Sequence, residues 1–161
     1  MTTHAFGTVV NSVKDVIAVI LNIFESAKNE VVFITPDSVM NLAGNYQTMQ
    51  SAERFIQNGG TVRGIVPILR DNVERVRKRL DFGEDLRHSD RFHEVFMMVG
   101  DKQQSISAIN LGVQEYTLDT PITAFWSESP AYAEYLLASF ENAWSQAVPA
   151  KERIKELLEQ G

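Results

Sequence analysis

Near Phe92 the hydrophobic period of the chain changes, and this constrains the fold more than any other feature. Upstream, helical patterns alternate with short apolar runs. Within residues 8–28, Val13, Val16, Ile17, Ile20, Leu21 and Phe24 recur at the spacing of one helical face. "EVVFIT" at 30–35 reads as a buried strand, punctuated by Thr35-Pro36-Asp37, and "MQSAERFIQNGG" reads as a helix stopped at Gly59-Gly60. "TVRGIVPI" at 61–68 is the next strand. Arg70-Asp71 then opens "NVERVRKRLDFG", where Val73, Val76 and Leu80 share a face and Gly83 closes the end, and "EDLRH" is a short third strand.

From Phe92 onward "FHEVFMMV", "QSISAIN" and "PITAFWS" are short β-rich runs separated by Gly100-Asp101, by Gly112 and by "VQEYTLDT". An antiparallel meander fits them. Ser129-Pro130 starts a last long helix predicted to bury Ala133, Leu136, Leu137, Phe140, Ala143, Trp144 and Ala147, and Pro149 separates it from a charged terminal helix. The expected fold class is α/β, a mixed β-sheet flanked by helices on both faces. With 161 residues and 44% hydrophobic content, one domain over 1–161 is expected, with 1–9 a short tail and 149–161 the terminal helix.

Composition narrows the function. A net charge of −6 argues against a broad basic surface for nucleic acid. The absence of cysteine removes thiol catalysis, disulfides and Cys-ligated zinc. The most apolar run, "VIAVILNIF" at 16–24, falls far short of the about 20 residues that span a bilayer, and the amino terminus lacks the pattern of a secretory signal. A cytoplasmic protein without membrane contact is expected.

Ligands in open α/β sheets collect beyond the carboxyl ends of the parallel strands, which places Thr35 and Asp37 near Arg87 and His88. Here the segment "RFHEVFMMVGDKQQSISAIN" at 91–110 resembles one half of a phospholipase D-type phosphodiesterase, whose signature is H-x-K-x4-D-x6-G-S-x-N. The register fits without a gap. His93 falls on the family's nucleophilic histidine and Asn110 on its terminal asparagine, while the lysine becomes Val95, the aspartate Gly100 and the glycine-serine pair Ser107-Ala108. Two of six signature positions survive. In the family, histidine attacks phosphorus while lysine and asparagine hold phosphoryl oxygens. Losing one such electrostatic contact costs on the order of 3 kcal/mol of transition-state stabilisation. Asp101 and Lys102, in the turn after the strand, are too far along the chain to substitute.

The stretches "GGTVRGIVPILRDNVERVRKRLDFGEDLRHSD", "FHEVFMMVGDK" and "PITAFWSESPAYAEYLLASFENAWSQAVPAKERIKEL" are similar to the non-catalytic phospholipase D-like domain of TrmB-type archaeal and bacterial transcriptional regulators. The resemblance implies a single phospholipase D-like half with a degenerate active site: a non-enzymatic sensor or regulatory domain acting in signalling or transcriptional regulation through a ligand or a partner protein. It also implies a homodimer, because phospholipase D-type enzymes bring two such halves together. The apolar run of the first helix is expected to support that contact. Residues 1–29 read as a single helix, so direct DNA binding through a helix-turn-helix is not expected. The alternatives are a residual phosphodiesterase or nuclease, and a purely structural dimerisation module.

The expected ligand site joins Asp37, Arg87, His88, His93 and Asn110 around a small polar or anionic ligand, with no catalytic residue, metal or cofactor. Each member has a plainer reading. Asp37 can cap the next helix, Arg63 and Arg87 can pair with Glu84 or Asp85, and His93 can be an exposed strand residue. His88, Asp90 and His93 form H-x-D-x2-H, a weak metal pattern with no fourth ligand. "RVRKR" at 75–79 reads as a solvated helix face, and of Met97 and Met98 one is expected in the core.

Overall fold

The structure is a computed structural model that describes residues 2–4, 7–40, 45–92, 94–109, 111 and 116–160. In chain order the elements are β1 (Thr2–His4), β2 (Gly7–Ser12), α1 (Val13–Ser26), β3 (Glu30–Ile34), α2 (Asp37–Met40), α3 (Asn45–Gln57), β4 (Thr61–Val66), α4 (Val73–Asp81), β5 (Asp85–His88), β6 (Phe96–Gly100), β7 (Gln104–Ala108), β8 (Pro121–Ser127), α5 (Pro130–Gln146), β9 (Val148–Pro149) and α6 (Ala150–Glu159). Among the described residues the strands form one mixed sheet in the order β1-β2-β8-β7-β6-β3-β4-β5-β9. The central β3, β4 and β5 are parallel, as βαβ crossovers require, and the flanking pairs are antiparallel.

Helices cover both faces, and the alternation along the central strands shows why. Val31 and Phe33 of β3, with Phe96 and Met98 of β6, enter a large core under α1, α3, α4 and α6. Val32 and Ile34, with Met97 and Val99, enter a smaller core with Ala133, Phe140, Ala143 and Trp144 of α5. A period of two sends successive residues to opposite faces, so residues 31–34 of β3 and 96–99 of β6, buried on both sides, are apolar throughout. Met97 and Met98 are therefore both core residues, one in each layer, where the sequence pattern placed only one.

The amino-terminal segment departs from expectation. Residues 8–12 continue the apolar pattern of α1 but belong to β2, which pairs with β8. Ser12 caps the helix, its hydroxyl accepting from the Asp15 amide at 3.1 Å. The stretch expected as a tail and helix start thus holds two strands that extend the sheet edge. α1 spends its apolar face inside this chain, burying Val16, Ile17, Val19, Ile20, Ile23 and Phe24, so that run is core and leaves little to a dimer contact.

At the start of α5 the boundary follows the local signals. The Ser129 hydroxyl accepts from the Tyr132 amide at 3.3 Å, and Pro130 occupies the first turn. Ala133, Phe140, Ala143 and Trp144 are buried as expected, while Leu136, Leu137 and Ala147 are only partly so.

Candidate functional site at the strand ends

The carboxyl ends of β3, β4 and β5 meet the loop 67–72, and a buried side chain organises that loop. Asn72, fully buried, accepts from the Leu69 amide at 2.9 Å and donates to the Pro67 carbonyl at 2.8 Å and to the Asp37 carboxylate at 2.8 Å. Arg75 adds a contact to the same Asp37 oxygen at 3.3 Å. Asp37 is thus the acceptor that joins α2 to the loop and α4. Sequence reading passed over Asn72; its signal was an asparagine immediately before a helical pattern, the place where a side chain usually bonds local backbone.

His88 ends β5 and is buried on the face that Leu86 and Val66 turn to the large core. Its Nδ1 accepts the Ile68 amide at 2.8 Å and its Nε2 lies 3.1 Å from the exposed Asp90 carboxylate. Burial pushes its pKa below the ordinary value, Asp90 opposes that shift and Arg153 adds to it. The neutral ring is therefore the fitting form, with Nδ1 as acceptor and Nε2–H directed to Asp90. Arg153 of α6 donates to the Ile68 carbonyl at 3.2 Å and completes the hold on the loop.

Arg87 departs from the expected convergence. As the residue before His88 on a strand it points through the opposite face, where its guanidinium lies 4.2 Å from the Trp144 ring and donates to the Trp144 carbonyl at 2.8 Å. Expecting both residues to face one cleft overlooked the pleat. Asp37 and His88 are tied to one loop, whereas Arg87 belongs to the α5 layer. His93 and Asn110 lie outside the described residues. Next to them, the Leu111 amide donates to the Glu94 carbonyl at 3.1 Å, which brings the two arms of the β6–β7 hairpin together at this end of the sheet.

The other signature positions are informative. Val95 is half-buried and offers no charge. At Gly100 an added Cβ would come within 2.8 Å of Ile23 Cγ2, so there is no room for a carboxylate. The turn carrying Asp101 and Lys102 sits at the opposite end of β6. There the Asp101 carboxylate accepts from the amides of Lys28, Asn29 and Glu30 at 2.6, 3.0 and 2.8 Å.

The remaining charges also find partners other than those expected. Arg63 pairs with Glu141 and, at 3.1 Å, with Glu30, rather than with Glu84 or Asp85. The hydrogen bond that Arg63 donates to Glu141 is the main reason its pKa rises well above the usual arginine value, against the opposing effect of burial. Arg79 of the "RVRKR" run is buried, not solvated: it faces Glu84 at 3.4 Å and stacks over Phe33 at 5.5 Å. Among the described residues no cluster of three or more metal-ligating side chains occurs, and no helix is long and apolar enough to cross a membrane.

No family model matches the sequence, and no curated protein matches it significantly. Solved structures do resemble the fold. TrmBL2, an archaeal chromatin protein described with a novel mode of DNA binding, superposes with a TM-score of 0.68 at 16% identity over 92% of this chain and 55% of that one. The present chain therefore spans about half the length of that protein. Nuc from Salmonella typhimurium, a phospholipase D family member, superposes with a TM-score of 0.69 at 15% identity over 89% of this chain and 97% of that one. The α/β architecture expected from the sequence, a mixed sheet with helices on both faces, is thus a phospholipase D-like fold, similar also to a TrmB-like protein.

Proposed function

We propose that the chain is a non-enzymatic regulatory domain of TrmB-like type that acts in signalling or transcriptional regulation through a ligand or a partner, and that it works as a homodimer. The observation that carries this reading is the internal saturation of the strand ends. Asp37, Arg87 and His88 all bond groups of their own chain, so they scaffold the loop and the α5 layer instead of presenting free charge to a substrate. Phosphoryl transfer depends on cations placed against developing charge, and Val95 supplies none where the resembled family has lysine.

In the sensing form of this reading a small polar or anionic ligand contacts His93 and Asn110. Direct DNA binding forms no part of it, in keeping with the net charge of −6. Self-association draws support from the exposed apolar residues at the same sheet end: Tyr46 (72%), Leu69 (37%), Ile109 (68%) and Leu118 (42%) all lie on segments that leave or approach the carboxyl ends of β3, β4 and β7. An isologous contact between two copies covers such a surface on both partners at once.

Purified protein given a generic phosphodiester is expected to show no turnover; hydrolysis abolished by His93→Ala would overturn the non-enzymatic reading. Light scattering is expected to give twice the 18.1 kDa chain mass, and Leu69→Glu with Ile109→Glu is expected to return it to 18.1 kDa. A monomer mass for the unaltered chain at every concentration would remove the dimer.

A further inference from the structure

Beneath the sheet face covered by α1 and α3 lies a cavity of about 50 Å³ that the strand-end reading does not use. Its walls are mostly apolar, from Ile17, Ile20, Phe33 and Met98, with Thr35 and Thr48 contributing hydroxyl-bearing side chains and Arg79 and Glu84 the charged ones. Both charged residues are buried, at 9% and 4% exposure. Their contact, Arg79 Nε to Glu84 Oε2 at 3.4 Å, is an ion pair too long for a good hydrogen bond, and among the described residues Arg79 Nη1 and Glu84 Oε2 are buried without a hydrogen-bond partner. A buried donor and a buried acceptor on residues that line one mostly apolar chamber carry a desolvation cost unless something bonds both.

We propose that this cavity binds a small uncharged molecule with a donor and an acceptor on one end and a short hydrocarbon on the other, of the class of short primary amides. The carbonyl oxygen takes the Arg79 Nη1 hydrogen, the amide N–H meets Glu84 Oε2, and the hydrocarbon packs on Ile17, Ile20 and Met98. Charge decides the class. A carboxylate would bring a second negative charge beside buried Glu84, and an ammonium a second positive charge beside Arg79, each at the cost of desolvation. Size limits it as well: at roughly 10–15 Å³ per water, the chamber holds about three to five waters or a molecule of about five heavy atoms. Water alone would satisfy the polar atoms but would leave the apolar walls wetted.

The test is an NMR titration of the full chain with three probes of equal size, propionamide, propionate and butanone. Propionamide is expected to shift the methyl signals of Ile17, Ile20 and Met98 saturably. It should bind about fivefold more tightly than butanone, which lacks the donor, as one additional net hydrogen bond gives. Ala52→Leu, which grows a side chain from the cavity wall, should abolish those shifts, and Ala52→Val serves the same purpose if the larger side chain prevents folding. Absence of saturable shifts, equal affinity for all three probes, or a crystal structure grown with propionamide that shows only ordered water in the chamber would each overturn the proposal.

Discussion

Arg87 and His88 are consecutive in sequence and are bonded on opposite faces of the sheet: the guanidinium stacks 4.2 Å from the Trp144 ring, and the imidazole accepts the Ile68 amide at 2.8 Å. One peptide unit thus ties the α5 layer to the loop 67–72. The two residues should fail differently when changed.

Substitution of His88 is expected to act through the loop. His88→Ala leaves the buried Ile68 N–H without an acceptor and should destabilise the chain by about 1–3 kcal/mol. The pH dependence follows from its depressed pKa. Between the folded pKa and the unfolded value near 6.5, the unfolded state binds a proton that the native state does not, so stability falls as pH is lowered through that window. Urea titrations across pH should show this slope in the parent chain and lose it in His88→Gln.

Substitution of Arg87 should be read at Trp144. Arg87→Lys keeps the charge but loses the flat stack and the directed bond to the Trp144 carbonyl, an expected cost of about 1–2 kcal/mol. Altered tryptophan fluorescence is the accompanying signal. An unchanged stability and spectrum would contradict the contact.

The Arg79–Glu84 pair predicts non-additivity. Arg79→Met alone leaves a carboxylate buried among apolar side chains and should cost about 3–5 kcal/mol, whereas Arg79→Met with Glu84→Leu should recover most of that loss. Burial raises the Glu84 pKa and Arg79 only partly counters it. The native state therefore holds a proton more firmly than the unfolded one. This contribution is full below the ordinary glutamate value and is lost as pH rises through the folded pKa, so Glu84→Gln should flatten the stability profile there.

Asp101 should behave as a staple between the β6–β7 turn and the start of β3. Asp101→Ala removes the acceptor of three backbone amides and is expected to destabilise the chain by about 2–3 kcal/mol in chemical denaturation. Burial works against its ionisation, but the amides of Glu30, Lys28 and Asn29 prevail and lower its pKa. Its contribution is present above the unfolded carboxylate value and lost as pH falls through the folded one.

Much of the fold was legible in local pattern. Helical spacing in α1, α3, α4 and α5, the Gly59-Gly60 stop and the Ser129-Pro130 start report structure built from neighbours in sequence, and the apolar run 31–34 already reads as a buried strand, whereas burial of both Met97 and Met98 follows only from the two helical layers. The signature register likewise showed in sequence that the lysine and aspartate positions hold Val95 and Gly100. Tertiary structure decided what depends on distant partners. Val9 and Val10 fit the period of α1 and become strand only because β8, more than a hundred residues later, supplies their hydrogen bonds. Arg79 looks solvated on a helix wheel and is buried because Glu84 and Phe33 meet it across the core. The strand-end polar residues suggested one cleft, yet the pleat divides Arg87 from His88 and Asn72 draws Asp37 into the loop, since a side chain's direction and its bonding partner are fixed only when the strands pair.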